Sequence, residues 1–449
     1  MSTFKHSMLG IYCVCMYTFL LASVTLASED KTLLASTADR TELAELGQDP
    51  RSYRTPRAGE GFKTQVFGEE VIIPARSLAA VTGWKLGAQF ETPKPDDRLA
   101  LPAAALYLWR QPDERHWLRG ELAGVYNNVF WGVKPENWGD FELGLTFTNF
   151  TLPSTWNEVY DGVRDEREEM FWGYVRPGFS MGYRKSLATG RQDNMWQLNY
   201  VLEPGYLYSA RDELTAANMV LPKSTFELRN RVNFRYDNLE RNILSLPHQG
   251  LAAGAEIIQG YRAHWADWGT PENTSRKHDG QHYVNFNAYA VSTNNVPFVS
   301  SERHKLVSWL TAGVGHNLDR FSATRVGGGP NAMGMEYGSS AMPILPGTSI
   351  WEFYPDHYAI GALEYRYELS WFTYLTAHGG VGYLNPLRPH GANGLRESKE
   401  LLPWMGTRLT TGFFFDTLLQ IDYSHSFNLV NAGTRGGNEI MFWLSGEFN

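Results

Sequence analysis

The stretch DYSHSFN, residues 422–428, sets a histidine beside a serine, the residue types of a base and its nucleophile. The flanking residues alternate as a strand does, and neighbouring side chains on a strand point to opposite faces. His425 and Ser426 therefore cannot form a nucleophile–base hydrogen bond from that strand alone, and His425 reads as an interfacial residue. No Gly-x-Ser-x-Gly nucleophile turn occurs in the chain. Gly327, Gly328 and Gly329 lack the Lys-Ser/Thr that completes a phosphate loop. His278 and His282 are four apart, but a polar loop running into a strand does not set them on one helical face. The residues thus imply no enzyme, no cofactor and no metal site, and an outer-membrane lipid hydrolase is the weakest of the readings open.

The charges with the most regular spacing lie in FELRNRVNFRYD, residues 226–237. Glu227, Arg229, Arg231, Arg235 and Asp237 fall on one face, and Phe226, Leu228, Val232, Phe234 and Tyr236 fall on the other, a period of two. HYAIGALEYRYEL repeats the pattern with Glu364, Arg366 and Glu368 against Leu363, Tyr365, Tyr367 and Leu369. A sheet with one apolar and one strongly charged face suits a membrane barrel with lipid outside and a wet lumen inside. On that reading Phe234→Arg costs about 2–4 kcal/mol near mid-membrane, while Arg231→Gln, facing water, costs little.

The elements that carry these charges are strands almost throughout. From residue 64 onward sixteen strand candidates can be counted, among them 64–73 as the first and 114–128 as the fourth. An even count closes an antiparallel barrel with both termini at one side. Short and long connections alternate from the middle of the chain on, but ETPKPDDR and QPDE, in the first third, run against that alternation. Aromatic residues make up 14% of the 449, with 15 Trp and 23 Tyr, as the girdles of a barrel require. After residue 27 no apolar run is long enough for a membrane-spanning helix. Residues 1–27 have the charged start, apolar run and small-residue end of a secretory signal peptide, with cleavage expected near Ala27. Both cysteines, Cys13 and Cys15, lie within it. Residues 28–63 are polar and expected in the periplasm. With 40 basic against 48 acidic residues nothing suggests nucleic acid.

Three segments together resemble the C-terminal barrel of the outer-membrane assembly-factor superfamily, the bacterial surface antigens of BamA/TamA type. They are YDNLERNILSLPHQG (236–250), LDRFSATRVGGGPNAMG (318–334), and the pair YAIGALEYRYEL and LTAHGGVGY. Five strand candidates follow the loop 317–356, the number that family has, and YDNLER falls between the eighth and ninth. The resemblance implies an inward-folding extracellular loop carrying Val326, Gly327, Gly328, Gly329, Met333 and Gly334. It also implies a loop-contact wall at His378, and a C-terminal insertion signal in Ile440, Phe442, Leu444, Gly446 and Phe448, here followed by Asn449. The family's loop arginine and its lumenal aspartate are both missing, with Met333 and His378 in the matching places. Losing both together avoids stranding a buried charge. A methionine–imidazole contact is expected to hold the loop instead, with Glu364 and Arg366 as the nearest compensating charges. Residues 28–63 are too few for a polypeptide-transport-associated domain.

The expectation is therefore an all-β protein, a sixteen-stranded antiparallel transmembrane barrel over residues 64–449 with a long inward-folding loop. Its function would be transport- or assembly-related, a passive pore for ions or small solutes being the alternative. The implied partners are outer-membrane lipid and periplasmic or outer-membrane proteins that the sequence does not identify.

Overall fold

In the computed structural model the described residues are 44–45, 53–66, 68–76, 79–94, 100–151, 156–160, 163–187, 194–271, 273–329, 343–385, 401–412, 417–431 and 434–448. Residues 1–27, expected from the sequence to be a signal peptide, lie outside them.

Among these residues sixteen long antiparallel strands close into one barrel. They are β1 (Ala80–Thr92), β2 (Leu101–Arg110), β3 (His116–Leu122), β4 (Tyr126–Val133), β5 (Phe141–Thr151), β6 (Val163–Ser186), β7 (Met195–Arg211) and β8 (Thr225–Asp237). The second half comprises β9 (Pro247–Arg262), β10 (His282–Asn295), β11 (His304–His316), β12 (His357–Ser370), β13 (Thr373–Asn385), β14 (Leu402–Thr411), β15 (Thr417–Asn431) and β16 (Thr434–Phe448). Each strand pairs with the next, and β16 closes on β1 from Asn438↔Thr92 to Phe448↔Thr82. A closed sheet leaves no wall strand with an unpaired edge.

The period-two pattern sets the two surfaces. On β8, Phe226 is 70% exposed whereas Glu227 is 3% exposed. Leu228, Val232 and Phe234 join the outward set, and Arg235 and Asp237 are buried within. β12 behaves alike, with Leu363, Tyr365 and Leu369 outward and Glu364, Arg366 and Glu368 buried.

The sixteen strands are not the sixteen counted in the sequence. Residues 64–73 are no wall strand. Phe62–Val66 and Glu69–Ile73 form a hairpin around Gly68 at φ +91°, and Ala44–Glu45 pairs in parallel with Phe62–Lys63 to complete a small three-stranded sheet. In compensation, 114–128 holds all of β3 and the start of β4. Ala123-Gly124-Val125 reverses the chain between β3 and β4, with Gly124 at φ +76° and Asn127 bonding both to Gly124 N and to Gly124 O. An apolar turn without Pro or Asp hides inside a strand-like run, which is why the pattern passed through it. The shift also explains the discordant connections: ETPKPDDR follows odd β1 and QPDE follows even β2, in step with the rest. Connections after even strands define a turn end, where β1 starts and β16 finishes. Those after odd strands define a loop end.

Candidate functional site

The buried charges of β8 are tied to their neighbours. Glu227 accepts from Arg176 Nη2 at 2.7 Å, Arg262 Nε at 3.2 Å and the Tyr283 hydroxyl at 2.8 Å. Arg231 bridges Glu203 at 2.6 Å and Glu256 at 3.3 Å, and Arg229 lies 3.6 Å from Glu203. Asp237 accepts from Arg235 and Arg241, both at 3.0 Å. A carboxylate removed from water is stable only with such partners. The expectation that Arg231→Gln costs little is therefore corrected: the residue is not solvated but joins two carboxylates. On β12, Glu364 pairs with Arg408 at 3.4 Å, and Arg366 donates to the Pro247 carbonyl. These two charges bond to the wall rather than to the described part of the loop.

Between β11 and β12 the chain crosses the loop end of the lumen. Asp319 takes Arg262 Nη1 at 2.6 Å, and Arg320 reaches Glu168 on β6 at 2.7 Å. Phe321 sits among Trp172, Trp265 and Trp268 at 5.0, 5.9 and 5.2 Å between ring centroids. Thr324 donates to Asn287 at 2.7 Å. Val326 is fully buried and packs with Leu345 and Phe353 against Tyr358, Ile360, Leu384, Leu402, Trp404 and Leu429, side chains of β12 to β15.

Beyond Val326 the loop meets the junction of β16 and β1. Gly329 N and Gly347 N donate to the two oxygens of Glu439 at 3.0 and 2.7 Å. Gln89 donates to the Thr348 carbonyl at 3.0 Å, and Ser349 Oγ to Glu91 at 2.5 Å. The glycines have separate reasons. A Cβ on Gly327 or Gly328 would lie 2.3 or 2.0 Å from the Ser349 or Thr348 carbonyl oxygen, so there the need is close approach. Only Gly329, at φ +109°, is in the left-handed region. Met333 and Gly334 lie outside the described residues. Removing the carboxylate by Glu439→Ala should free residues 327–329 and 343–349, read as a gain in protease cleavage there. Unchanged protection would contradict the anchoring.

His378 is buried, but its neighbours are Asp422, with Nε2 3.3 Å from Oδ2, and the Trp404 ring at 5.5 Å. Asp422 is held also by Arg408 at 2.6 Å. His378→Asp would thus set a second carboxylate against Asp422. His425 Nδ1 lies 2.9 Å from Asn438 Oδ1, while Ser426 is fully buried on the other face. At the C-terminus Ile440, Phe442 and Leu444 are exposed outward, and a Cβ on Gly446 would lie 2.7 Å from Trp84 Nε1. The backbone of Phe448 pairs with Thr82.

At the turn end, residues 53–60 enter the lumen. Tyr53 donates to Glu368, and Thr55 Oγ1 donates to the same carboxylate at 2.7 Å. Thr55 N donates to Glu302 at 3.1 Å, and Arg57 pairs with Glu240 at 3.0 Å and Glu302 at 3.5 Å. Glu302 lies in the turn between β10 and β11; His248 of β9 beside it, then Arg57 and the Thr55 amide, hold its carboxyl down at about 2. A lowered carboxylate contributes fully above its ordinary value near 4.5 and loses that contribution as pH falls through about 2. At neutral pH Glu302→Gln should therefore lower the protease protection of residues 53–60, and the difference from the intact protein should shrink as pH falls towards about 2; no difference at neutral pH would contradict it.

The sequence missed Glu439, Gln89, Glu91 and the 53–60 segment. Glu439 is in phase with the inward set of β16, but besides Gln89 its partners are backbone amides about 90 and 110 residues away. Asp319 and Arg320 stood inside a quoted segment without a role, because their partners lie on β9 and β6.

No protein-family model matches the chain, and no curated protein matches it in sequence. Among solved structures, CdiB from Acinetobacter baumannii is similar at TM-score 0.52 and 8% identity, over 88% of this chain and 64% of that one. The fold is similar to that of CdiB. The chain spans just under two thirds of that protein's length, and at such identity the likeness concerns the fold alone. BamA from Haemophilus ducreyi lacking POTRA domains 1–3 gives TM-score 0.49 at 11% identity, over 87% of this chain and 75% of that one. CdiB from Escherichia coli gives 0.45 at 13%, over 88% and 68%.

Proposed function

We propose that this chain is an integral outer-membrane barrel of the surface-antigen/assembly-factor type, serving transport or assembly rather than free diffusion. The observation that carries the reading is a closed wall, apolar outside and charged inside, whose lumen is crossed by a loop fixed at Glu168 and Glu439. The outward side chains, such as Phe226, Leu228, Leu363 and Phe442, suit lipid. The inward ion pairs of β8 and the loop occupy space that a solute pore would leave open. In a cell the mature protein would fractionate with the outer membrane, begin near Ser28, and contact lipid and protein partners not yet named.

Single-channel recording in planar bilayers tests this. The intact protein should show little steady conductance, and deletion of residues 320–350 should raise it. A large open current from the intact protein would favour the passive pore.

A further inference from the structure

The segment 53–60 is held as a ligand is held. Its backbone pairs with residues 241–243 through two hydrogen bonds, from Ala58 N to the Arg241 carbonyl at 3.0 Å and from Ile243 N to the Pro56 carbonyl at 3.1 Å, around an antiparallel bridge at Arg57↔Asn242. This is the main-chain pairing by which a sheet edge receives an extended peptide. Proline suits its place, since only its carbonyl is used. Side chains supply the selectivity. The Tyr53 ring lies 4.2 Å under the Arg303 guanidinium while its hydroxyl reaches Glu368. Thr55 is fully buried on Glu368 and Glu302, and Arg57 is clasped by Glu240 and Glu302. Arg54, between them, is exposed.

We propose that the turn end of the lumen is a binding site for an extended polypeptide bearing an aromatic hydroxyl, a threonine–proline step and an arginine, and that residues 53–60 fill it in cis. Two backbone bonds and contacts reached from the barrel's rim make the segment displaceable without disturbing the wall. The groups that hold it, the carboxylates of Glu240, Glu302 and Glu368 and the Arg303 guanidinium, belong to the barrel itself and remain when the segment leaves. The inference is independent of the transport reading, since an open pore could carry the same site.

The test uses a fluorescent peptide of residues 50–62 and the purified protein in detergent. A variant lacking residues 53–60 should bind it at least tenfold more tightly than the intact chain. Glu302→Gln in that variant should weaken binding about tenfold, and a scrambled peptide should bind no variant. Should the deletion not fold, judged by loss of heat-modifiable migration, the full-length Tyr53→Ala/Thr55→Ala/Arg57→Ala variant serves in its place with the same expectation. No binding to a folded variant, or equal binding of the scrambled peptide, would overturn the proposal.

Discussion

Arg262→Met should destabilise the barrel by about 3–5 kcal/mol, the range for removing one partner of a buried ion pair. Arg262 is fully buried and donates to Glu227, Asp319 and the Gly280 carbonyl, at 3.2, 2.6 and 2.9 Å. Its guanidinium also lies 4.2 Å over the Trp265 ring. Methionine keeps the apolar stem and removes every donor. Glu227 would retain Arg176 and Tyr283, but Asp319 would keep only local donors from its own turn, namely Phe321 N, Ser322 N and Ser322 Oγ. Because Arg262 joins wall to loop, the damage should be shared: Arg262→Met with Asp319→Asn should cost less than the sum of the single changes. Urea titration of protein refolded in lipid vesicles measures both. A loss under about 1 kcal/mol would mean that water reaches the pair and screens it.

Phe234→Arg should cost about 2–4 kcal/mol near mid-membrane by putting a cation into lipid. Phe234 is 36% exposed on the outward face of β8, with Trp196 beside it at 6.3 Å. Arg231→Gln makes a demanding control, since it disturbs Glu203 and Glu256 within and should cost about 1–3 kcal/mol, the penalty of a buried group left short of a partner. The two changes should therefore separate by environment and not by size. The cost of Phe234→Arg should shrink in thin, short-chain bilayers that let the guanidinium reach the interface, while that of Arg231→Gln should not respond to lipid. Equal response to chain length would refute the assignment of faces.

Much of the wall was legible because alternation is a local property. Phe226 to Asp237 and Ala359 to Leu369 each carry their own face assignment, whatever lies beside them. Strand count came out right through two opposite errors, at 64–73 and 114–128, since periodicity marks strands better than it marks the reversals between them. The closures at either end were not legible. Glu439 binds backbone amides, which leave no mark in a sequence, and Tyr53 to Glu60 lies in a polar stretch whose partners are about 180 to 310 residues distant. The methionine–histidine anchor expected between Met333 and His378 was inferred by substitution into a family pattern. Met333 lies outside the described residues; the described loop is held at Glu168 and Glu439, and His378 lies beside Asp422.

A hollow cylinder resists stretching far better than it resists being squeezed into an ellipse. Here the loop touches the ring at β6 through Glu168, β9 through Arg262, β10 through Asn287, β12 to β15 through the packing around Val326, and the β16–β1 junction through Glu439 and Gln89. Counted round sixteen strands, β9 lies nearly opposite the β16–β1 junction, so the loop braces the cross-section from side to side. Lateral pressure from the bilayer would then load the loop directly, and any force that pulls the loop free would leave the ring able to go oval.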